Sequence, residues 1–187
     1  MKKQLLKMSA FLVISSLLFT ACKKDKPEEN DEEVITTMRL TFLPIGGGAA
    51  ISFQYDDADG PGGAAPTQDS IKLLPNKSYN VSLQLLNKTA NPITDITTEV
   101  KDEKDAHRFY YEPSAASNIT VSGLDIDAAG IPLGVTSTWA SGVATVGKLK
   151  ITLRHYPGTP PNKALGDLVN SSKSATDIEV EFNTKIQ

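Results

Sequence analysis

Alternation of apolar and polar side chains dominates the chain from Val34 onward. Residues two apart on a strand share a face, so this period predicts strands with one buried side. The clearest apolar series are Met38, Leu40 and Phe42; Ile51, Phe53 and Tyr55; Tyr79, Val81, Leu83 and Leu85; Leu149, Ile151 and Leu153; and Ile178, Val180 and Phe182. Weaker candidates are Ile71 to Leu74, Arg108 to Glu112, Ile119 to Val121 and Leu133 to Trp139.

One segment breaks this alternation. Ile96 and Val100 lie four residues apart, behind Asp95, which is a preferred N-cap residue. We therefore predict a short helix within residues 95–106 that crosses between two sheets. Many short strands, frequent turns and one small helix predict an all-β fold, an immunoglobulin-like antiparallel β-sandwich. The single cysteine excludes the Cys–Trp–Cys core signature and leaves the topology open.

The only long apolar run covers residues 8–19 and follows a lysine-rich start. Small residues then precede Cys22. This order of charge, apolar run and small residues is typical of a secretory signal peptide. The run is shorter than the roughly 20 apolar residues of a transmembrane helix. We predict a cleaved signal peptide over residues 1–21.

Cys22 and the residues before it resemble the lipobox of bacterial lipoproteins, with Phe19 where that box usually has Leu. The resemblance implies that Cys22 becomes the first mature residue and carries a lipid through its thiol. Several acyl chains, such as palmitate, give durable membrane anchoring, whereas one chain binds only marginally. A lipidated Cys22 leaves the exported chain without a disulfide, so the fold depends on its hydrophobic core.

A charged tether is predicted between the lipid attachment site and the domain. Residues 22–33 contain KKDKPEENDEE, which has no apolar residue to bury and is expected to stay solvated. A single domain then covers residues 34–187. The acid-rich tether resembles the surface-export signal of Bacteroidota lipoproteins, which implies an outer-membrane protein displayed at the cell surface.

Net charge narrows the classes of partner. The chain has 19 basic and 22 acidic residues and a formal charge of -3. Removal of Lys2, Lys3 and Lys7 with the signal peptide leaves 16 basic residues, so the mature chain carries -6. An acidic domain of this kind argues against a nucleic-acid partner, which requires a basic surface.

Five segments carry a more specific resemblance: EEVITTMRLTF, DAHRFYYEPS, ITLRHYPG, ALGDLVN and TDIEVEFNTKIQ. They resemble small Bacteroidota outer-membrane lipoproteins often labelled "type 1 periplasmic binding fold superfamily". That label implies an α/β fold, which we reject because the sequence has too few helical stretches. Such proteins are often found beside TonB-dependent receptors. The resemblance therefore implies an accessory role in nutrient or metal capture, with such a receptor as partner.

The two histidines, His107 and His155, fall on the apolar side of their segments. His155 extends the alternating series of residues 149–153, and His107 extends Ile96 and Val100 at helical spacing. Two imidazoles with a carboxylate would suit Zn, Cu or haem iron. The alternative is two separate, partly buried rings, each with its own hydrogen-bond partner. We expect the separate arrangement.

Two acidic turns offer a second candidate metal site. Asp57 and Asp59 lie in DDADG, and Asp125 and Asp127 in DID shortly before Gly130. Carboxylates at alternate loop positions followed by glycine resemble the start of a calcium loop. The closing glutamate of such a loop is missing, and solvated turns explain these residues equally well.

Aromatic residues and missing motifs complete the functional prediction. Tyr110, Trp139 and Tyr156 could line a ligand groove, although sandwich cores also hold aromatics. The sequence contains no Gly-x-Ser-x-Gly, HExxH or phosphate-loop motif, so we predict no enzyme. The expected function is a ligand- or metal-binding accessory module to an outer-membrane transporter. The alternative is a structural or adhesive surface domain without a small-molecule site.

Overall fold

Strands and turns occupy most of residues 33–187, the part of the chain that this computed structural model describes. The elements are β1 (Thr37–Pro44), β2 (Ile51–Asp56), β3 (Thr67–Gln68), β4 (Ile71–Leu73), β5 (Ser78–Asn87), β6 (Thr94–Asp95), α1 (Ile96–Asp102), β7 (His107–Pro113), β8 (Ile119–Ser122), β9 (Thr136–Ser141), β10 (Thr145–His155) and β11 (Ala175–Ile186). A 3-10 turn covers Ala115–Ser117. The predicted signal peptide, Cys22 and most of the tether lie outside the described residues.

Two sheets form the domain and confirm the predicted all-β sandwich with one short helix. The seven-stranded sheet has the order β3-β2-β1-β5-β9-β8, with β6 beside β5. The four-stranded sheet has the order β4-β11-β10-β7. Strand pairs within the described residues are antiparallel except β4 and β11, which run parallel.

The alternation in the sequence reappears as alternating burial. In β5 the residues Tyr79, Val81, Leu83 and Leu85 are buried, while the residues between them face outward. β1, β10 and β11 bury their alternate apolar positions in the same way. A sheet that faces the core on one side and water on the other produces this pattern.

Aromatic contacts join the two sheets at the centre of the sandwich. Trp139 of β9 is fully buried, and its ring lies 5.1 Å from that of Phe42 in β1. Tyr111 of β7, in the other sheet, meets Trp139 edge-to-face at 5.6 Å. Aromatic rings favour this T-shaped arrangement because the positive edge of one ring meets the negative face of the other. The sheets are thus held together by one continuous core.

The helix α1 begins and packs as its sequence predicts. The Asp95 side chain accepts a hydrogen bond from the backbone N–H of Thr97, so Asp95 is the N-cap. Ile96 and Val100 are buried against the core. The Thr97 hydroxyl also accepts a bond from the Leu85 N–H, which fixes the helix to β5. The helix ends at Asp102, so a turn of the chain separates it from His107.

The predicted strand from Leu133 to Trp139 starts later than its sequence suggests. β9 begins at Thr136, and Gly134 adopts a positive φ of 91°. The Asp125 carboxylate accepts hydrogen bonds from the N–H groups of Gly134 and Thr136. When a side chain accepts these backbone N–H groups, it replaces the carbonyl of a neighbouring strand, so β9 begins further along the chain.

Several chain segments converge at one end of the four-stranded sheet. β7 begins there, at His107, and β10 ends there, at His155. β11 starts beside the end of β10, with a register irregularity after Leu153. The turn that follows α1 reaches the same end, and Glu33, at the start of the described chain, also lies there. This end of the sheet contains the candidate site.

Candidate metal centre

The two histidine rings lie against each other, which contradicts our expectation that they are separate. Strands β7 and β10 pair so that His107 stands directly opposite His155. Their rings stack with centroids 4.7 Å apart and planes 18° from parallel. Directly opposed residues of antiparallel strands bring their Cβ atoms to about 5 Å. Contact between the rings follows from that register.

His107 is held as a neutral ring with one free nitrogen. Its Nδ1 lies 3.1 Å from the backbone carbonyl of Glu103, which can only accept a hydrogen bond. Nδ1 therefore carries the proton, and Nε2 presents its lone pair. The ring is fully buried, and burial lowers the pKa of His107 to about 4. Nε2 is buried and has no hydrogen-bond partner within residues 33–187.

Two carboxylates face that free nitrogen. Glu33 Oε1 lies 3.6 Å and Asp177 Oδ2 lies 3.9 Å from His107 Nε2. The Asp177 side chain is fully buried and the Glu33 side chain is 11% exposed. Burial first, and then the nearby acids Asp177, Glu99 and Glu103, raise the pKa of Glu33 to about 8. A carboxyl with this pKa is mostly protonated at pH 7, so Glu33 is largely neutral beside His107.

A third carboxylate completes a group of metal-ligating side chains. Glu103, His107 and His155 each offer one ligand atom, and these atoms all lie within 4.8 Å of one another. Glu103 is exposed and His155 is half-buried, so the group is open to solvent on one side. Ligand atoms around a metal with bonds of about 2.1 Å lie roughly 3–4 Å apart. Binding would therefore need the ligands to close by about 1 Å.

We refer to Glu33, Glu103, His107, His155 and Asp177 together as the histidine cluster. Imidazole nitrogens with carboxylate oxygens suit divalent first-row metals such as Zn²⁺, Fe²⁺ and Mn²⁺. The only cysteine of the chain is Cys22, so the cluster offers no thiolate. Its donor set does not favour Cu(I), which prefers sulfur.

A buried ion pair supports the strand that carries His107. The Lys163 ammonium lies 2.8 Å from Asp127 Oδ2, and both side chains are almost fully buried. Lys163 also donates to the backbone carbonyls of Lys104 and His107, on either side of the turn into β7. Burial lowers the pKa of Lys163, while its hydrogen bond to Asp127 opposes part of that shift. The ion pair therefore stabilises the turn that leads into β7.

The acidic turns use their carboxylates within the fold. Asp59 accepts a hydrogen bond from the Ala64 N–H, and Asp127 accepts bonds from two backbone N–H groups of its own loop. Asp125 accepts from the N–H of Gly134 and from that of Thr136 at the start of β9. Asp57 Oδ1 is buried without a hydrogen-bond partner in the described part of the chain. Neither Asp57 nor Asp59 belongs to the ligand group formed with the two histidines.

The predicted ligand-lining aromatics are mainly core residues. Trp139 is fully buried, with its indole N–H donated to Ser137. Tyr156 is also fully buried, and its hydroxyl lies 2.6 Å from that of the half-buried Tyr110. The depression at the turn between β1 and β2, with a volume of about 560 Å³, is lined by other residues.

Sequence reasoning missed Glu33, Asp177 and Lys163. Glu33 was assigned to the solvated tether, but its side chain packs beside His107. Asp177 and Lys163 carry no local signal, because their roles depend on which strands become neighbours. Glu103 does carry a local sequence signal, because it precedes His107 by four residues in an acid-rich stretch.

Comparisons with known proteins assign no relative. No family model matches the chain, and neither a curated protein nor a solved structure is significantly similar to it. Within residues 33–187, no helix has the length and apolar character needed to cross a membrane.

Proposed function

We propose that this protein is a metal-binding module that holds a divalent first-row transition-metal ion at the histidine cluster. The stacked pair His107 and His155, with the Glu103 carboxylate in reach, carries the proposal. Because burial keeps His107 neutral, its ring is in the form that binds metal. The open side of the cluster provides a route by which an ion enters and leaves.

We further propose that the module is lipid-anchored at Cys22 in the outer membrane, displayed at the cell surface, and accessory to a TonB-dependent transporter. The signal peptide, the cysteine that ends it and the acid-rich tether support the anchor. The resemblance described above supports the transporter. A site with an open side fits transfer of an ion to a partner better than permanent structural binding, which uses closed four-ligand sites.

Calorimetry with Zn²⁺ tests the metal-binding proposal. The protein is the processed chain from residue 22 with Cys22→Ala, which removes the lipid. We expect one ion per chain, and at least a tenfold weaker affinity in His155→Ala and in His107→Gln. Circular dichroism establishes that each variant is folded. His155 is only half-buried, so its replacement is expected to destabilise the fold less than replacement of His107.

Matched controls are variants of Asp57 and Asp59, the acidic residues that the sequence offered as a separate candidate metal site. Asp57→Asn and Asp59→Asn remove a carboxylate outside the histidine cluster and are expected to leave the affinity within about twofold. Loss of binding in these controls but not in the histidine variants would move the site to the DDADG turn. No binding of Zn²⁺, Fe²⁺ or Mn²⁺ by the wild type would favour the structural or adhesive alternative.

A further inference from the structure

The depression between the β1–β2 turn and the β4–β5 turn is a second candidate binding site, which we call the distal pocket. Its volume of about 560 Å³ lies within the range of roughly 300–1,000 Å³ for small-molecule pockets. It lies far from the histidine cluster, because β11 starts beside His155 and ends beside Leu73, which lines the pocket. The 12 residues of β11 span roughly 40 Å, so the two sites occupy opposite ends of the sandwich.

Large apolar side chains around the distal pocket are exposed. Ile45 is 51%, Leu74 is 59% and Ile51 is 38% exposed, and all three line the pocket. A single exposed apolar residue is normal on a protein surface, whereas several around one cavity are typical of a binding site. The pocket therefore has walls that suit an apolar chain.

Three consecutive glycines, residues 46–48, form one wall of the distal pocket. Each has a positive φ, between 96° and 132°, which other residues adopt only with strain. A Cβ added at Gly46 or Gly47 would meet no atom within 4 Å, so it is the backbone conformation, and not packing, that requires glycine there. This wall presents bare backbone, which a ligand can approach closely.

The polar groups of the distal pocket suit an anion. Lys72 and Lys77 are the only charged side chains among the described residues that line it, although the chain has more acidic than basic residues. Neither ammonium group pairs with a carboxylate within residues 33–187. The buried Tyr79 hydroxyl accepts a hydrogen bond from the Leu74 N–H at 3.1 Å, and its own proton has no acceptor in the described part of the chain. These donors can bind an anionic head group through charge-assisted hydrogen bonds.

From this combination we infer that the distal pocket binds a small amphipathic anion, an apolar chain that carries a carboxylate or phosphate head group. Ile45, Ile51 and Leu74 contact the chain, while Lys72 and Lys77 bind the head group. The inference is independent of the metal-binding proposal. Under the proposed anchoring the tether enters at the opposite end, so the pocket faces away from the anchoring membrane. That orientation favours a free ligand over the lipid of a bilayer.

Titration with octanoate, followed by NMR spectroscopy on the same lipid-free processed chain, tests the inference. We expect saturable shifts of the amides in residues 45–49 and 72–79. Octan-1-ol, which has the same chain without the charge, should bind about fivefold more weakly, because two exposed ion pairs each contribute modestly. The double variant Lys72→Gln with Lys77→Gln should weaken octanoate binding by a similar factor and leave octan-1-ol binding unchanged. The matched control is Lys101→Gln, an exposed lysine of α1, which should change neither.

A charge placed at the rim of the pocket provides the second comparison. Ile45→Glu should abolish octanoate binding by repulsion, whereas Leu168→Glu, at an exposed leucine outside the pocket, should not. Both positions are exposed, so both variants are expected to fold, which circular dichroism establishes. No octanoate binding by the wild type, equal binding of octan-1-ol, or unchanged binding in Ile45→Glu would overturn the inference.

Sedimentation with phosphatidylglycerol vesicles distinguishes a free ligand from a bilayer. We expect the lipid-free chain to remain in the supernatant. Co-sedimentation that is lost in Ile45→Glu, without saturable octanoate binding, would overturn the inference in favour of a membrane-docking surface. His155→Ala should bind octanoate as the wild type does, so the distal pocket and the metal site are tested separately.

Discussion

The chemical state of His107 follows from two of its neighbours. The Glu103 carbonyl selects the tautomer with a proton on Nδ1, and burial disfavours a second proton. The ring is therefore neutral at pH 7 with its lone pair directed at Glu33 and Asp177. Metal-bound histidines commonly have this arrangement, in which the second nitrogen donates to a carbonyl or carboxylate.

The buried pair of Lys163 and Asp127 gives a stability prediction at the scale of single residues. Asp127→Asn leaves the Lys163 ammonium buried without a counter-charge, so we expect a loss of about 3 kcal/mol in the free energy of unfolding. Urea unfolding at pH 7 measures it. The control is Glu181→Gln, which breaks the exposed pair with Lys148 and should cost less than about 1 kcal/mol. Equal losses in the two variants would contradict the prediction.

The Asp127 carboxylate also gives a prediction of how the free energy of unfolding changes as the pH is lowered. Burial alone would raise the pKa of Asp127, but the hydrogen bond and charge of Lys163, with the N–H groups of Ile131 and Ala129, hold it below its ordinary value. A lowered folded-state pKa contributes stability above the unfolded pKa of about 4, and that contribution disappears as pH falls through the folded value. The wild type should therefore lose more stability than Asp127→Asn when the pH is lowered from 5 to 2. Parallel pH profiles would refute this.

At the scale of elements, strand register creates the site. His107 and His155 lie 48 positions apart in the sequence, yet the pairing of β7 with β10 places them opposite each other. The alternation of each strand predicts that both rings lie on the core side of the sheet. His107 is buried and His155 is half-buried, which is consistent with that prediction. Alternation says nothing about which strands become neighbours, so contact between the rings could not be predicted.

The helix N-cap offers a prediction that links α1 to the site. Asp95→Ala removes the acceptor for the Thr97 N–H, and such losses typically cost about 1 kcal/mol. Asp95→Asn retains an acceptor oxygen and should keep most of that stability. Thermal or urea unfolding of both variants provides the measurement. Because the turn after α1 carries Glu103, we also expect a small loss of Zn²⁺ affinity in Asp95→Ala only. An equally destabilised Asp95→Asn would show that the cap is not responsible.

The strands and the helix were predictable from the sequence for a local reason. Period-two burial in β5 and the capped series of Ile96 and Val100 are both properties of adjacent residues. The late start of β9 was not predictable, because it depends on Asp125 reaching Gly134 and Thr136. The same limit applies to Glu33, which is a tether residue by composition and a cluster residue by position.

At the scale of the whole molecule, the histidine cluster lies where the chain enters the domain. Glu33, the last residue of the predicted tether, contacts His107 of β7. Under the proposed anchoring, the end of the domain that contains the proposed metal site is the one that continues into the tether. A receptor that takes ions from the cluster would then meet this end of the sandwich.

Membrane attachment is the last prediction, and it concerns Cys22. In the proposed anchoring, this thiol is the attachment point of the acyl chains, and several chains give durable anchoring. Cys22→Ala should move the protein from the membrane fraction to the soluble fraction, or leave it unprocessed, without changing the thermal unfolding of the domain. Fractionation with mass spectrometry of the N-terminus provides the measurement.

A tether variant separates anchoring from display. With Glu28, Glu29, Asp31, Glu32 changed to Ala and Cys22 intact, the chain should remain in the membrane fraction but become less accessible to protease on whole cells. Glu33 is left unchanged because its side chain contacts His107, so any effect reports the tether and not the metal site. A wild type that remains in the membrane fraction with an unlipidated N-terminus would refute anchoring at Cys22. Unchanged protease accessibility in the tether variant would refute only the export role of the acidic residues.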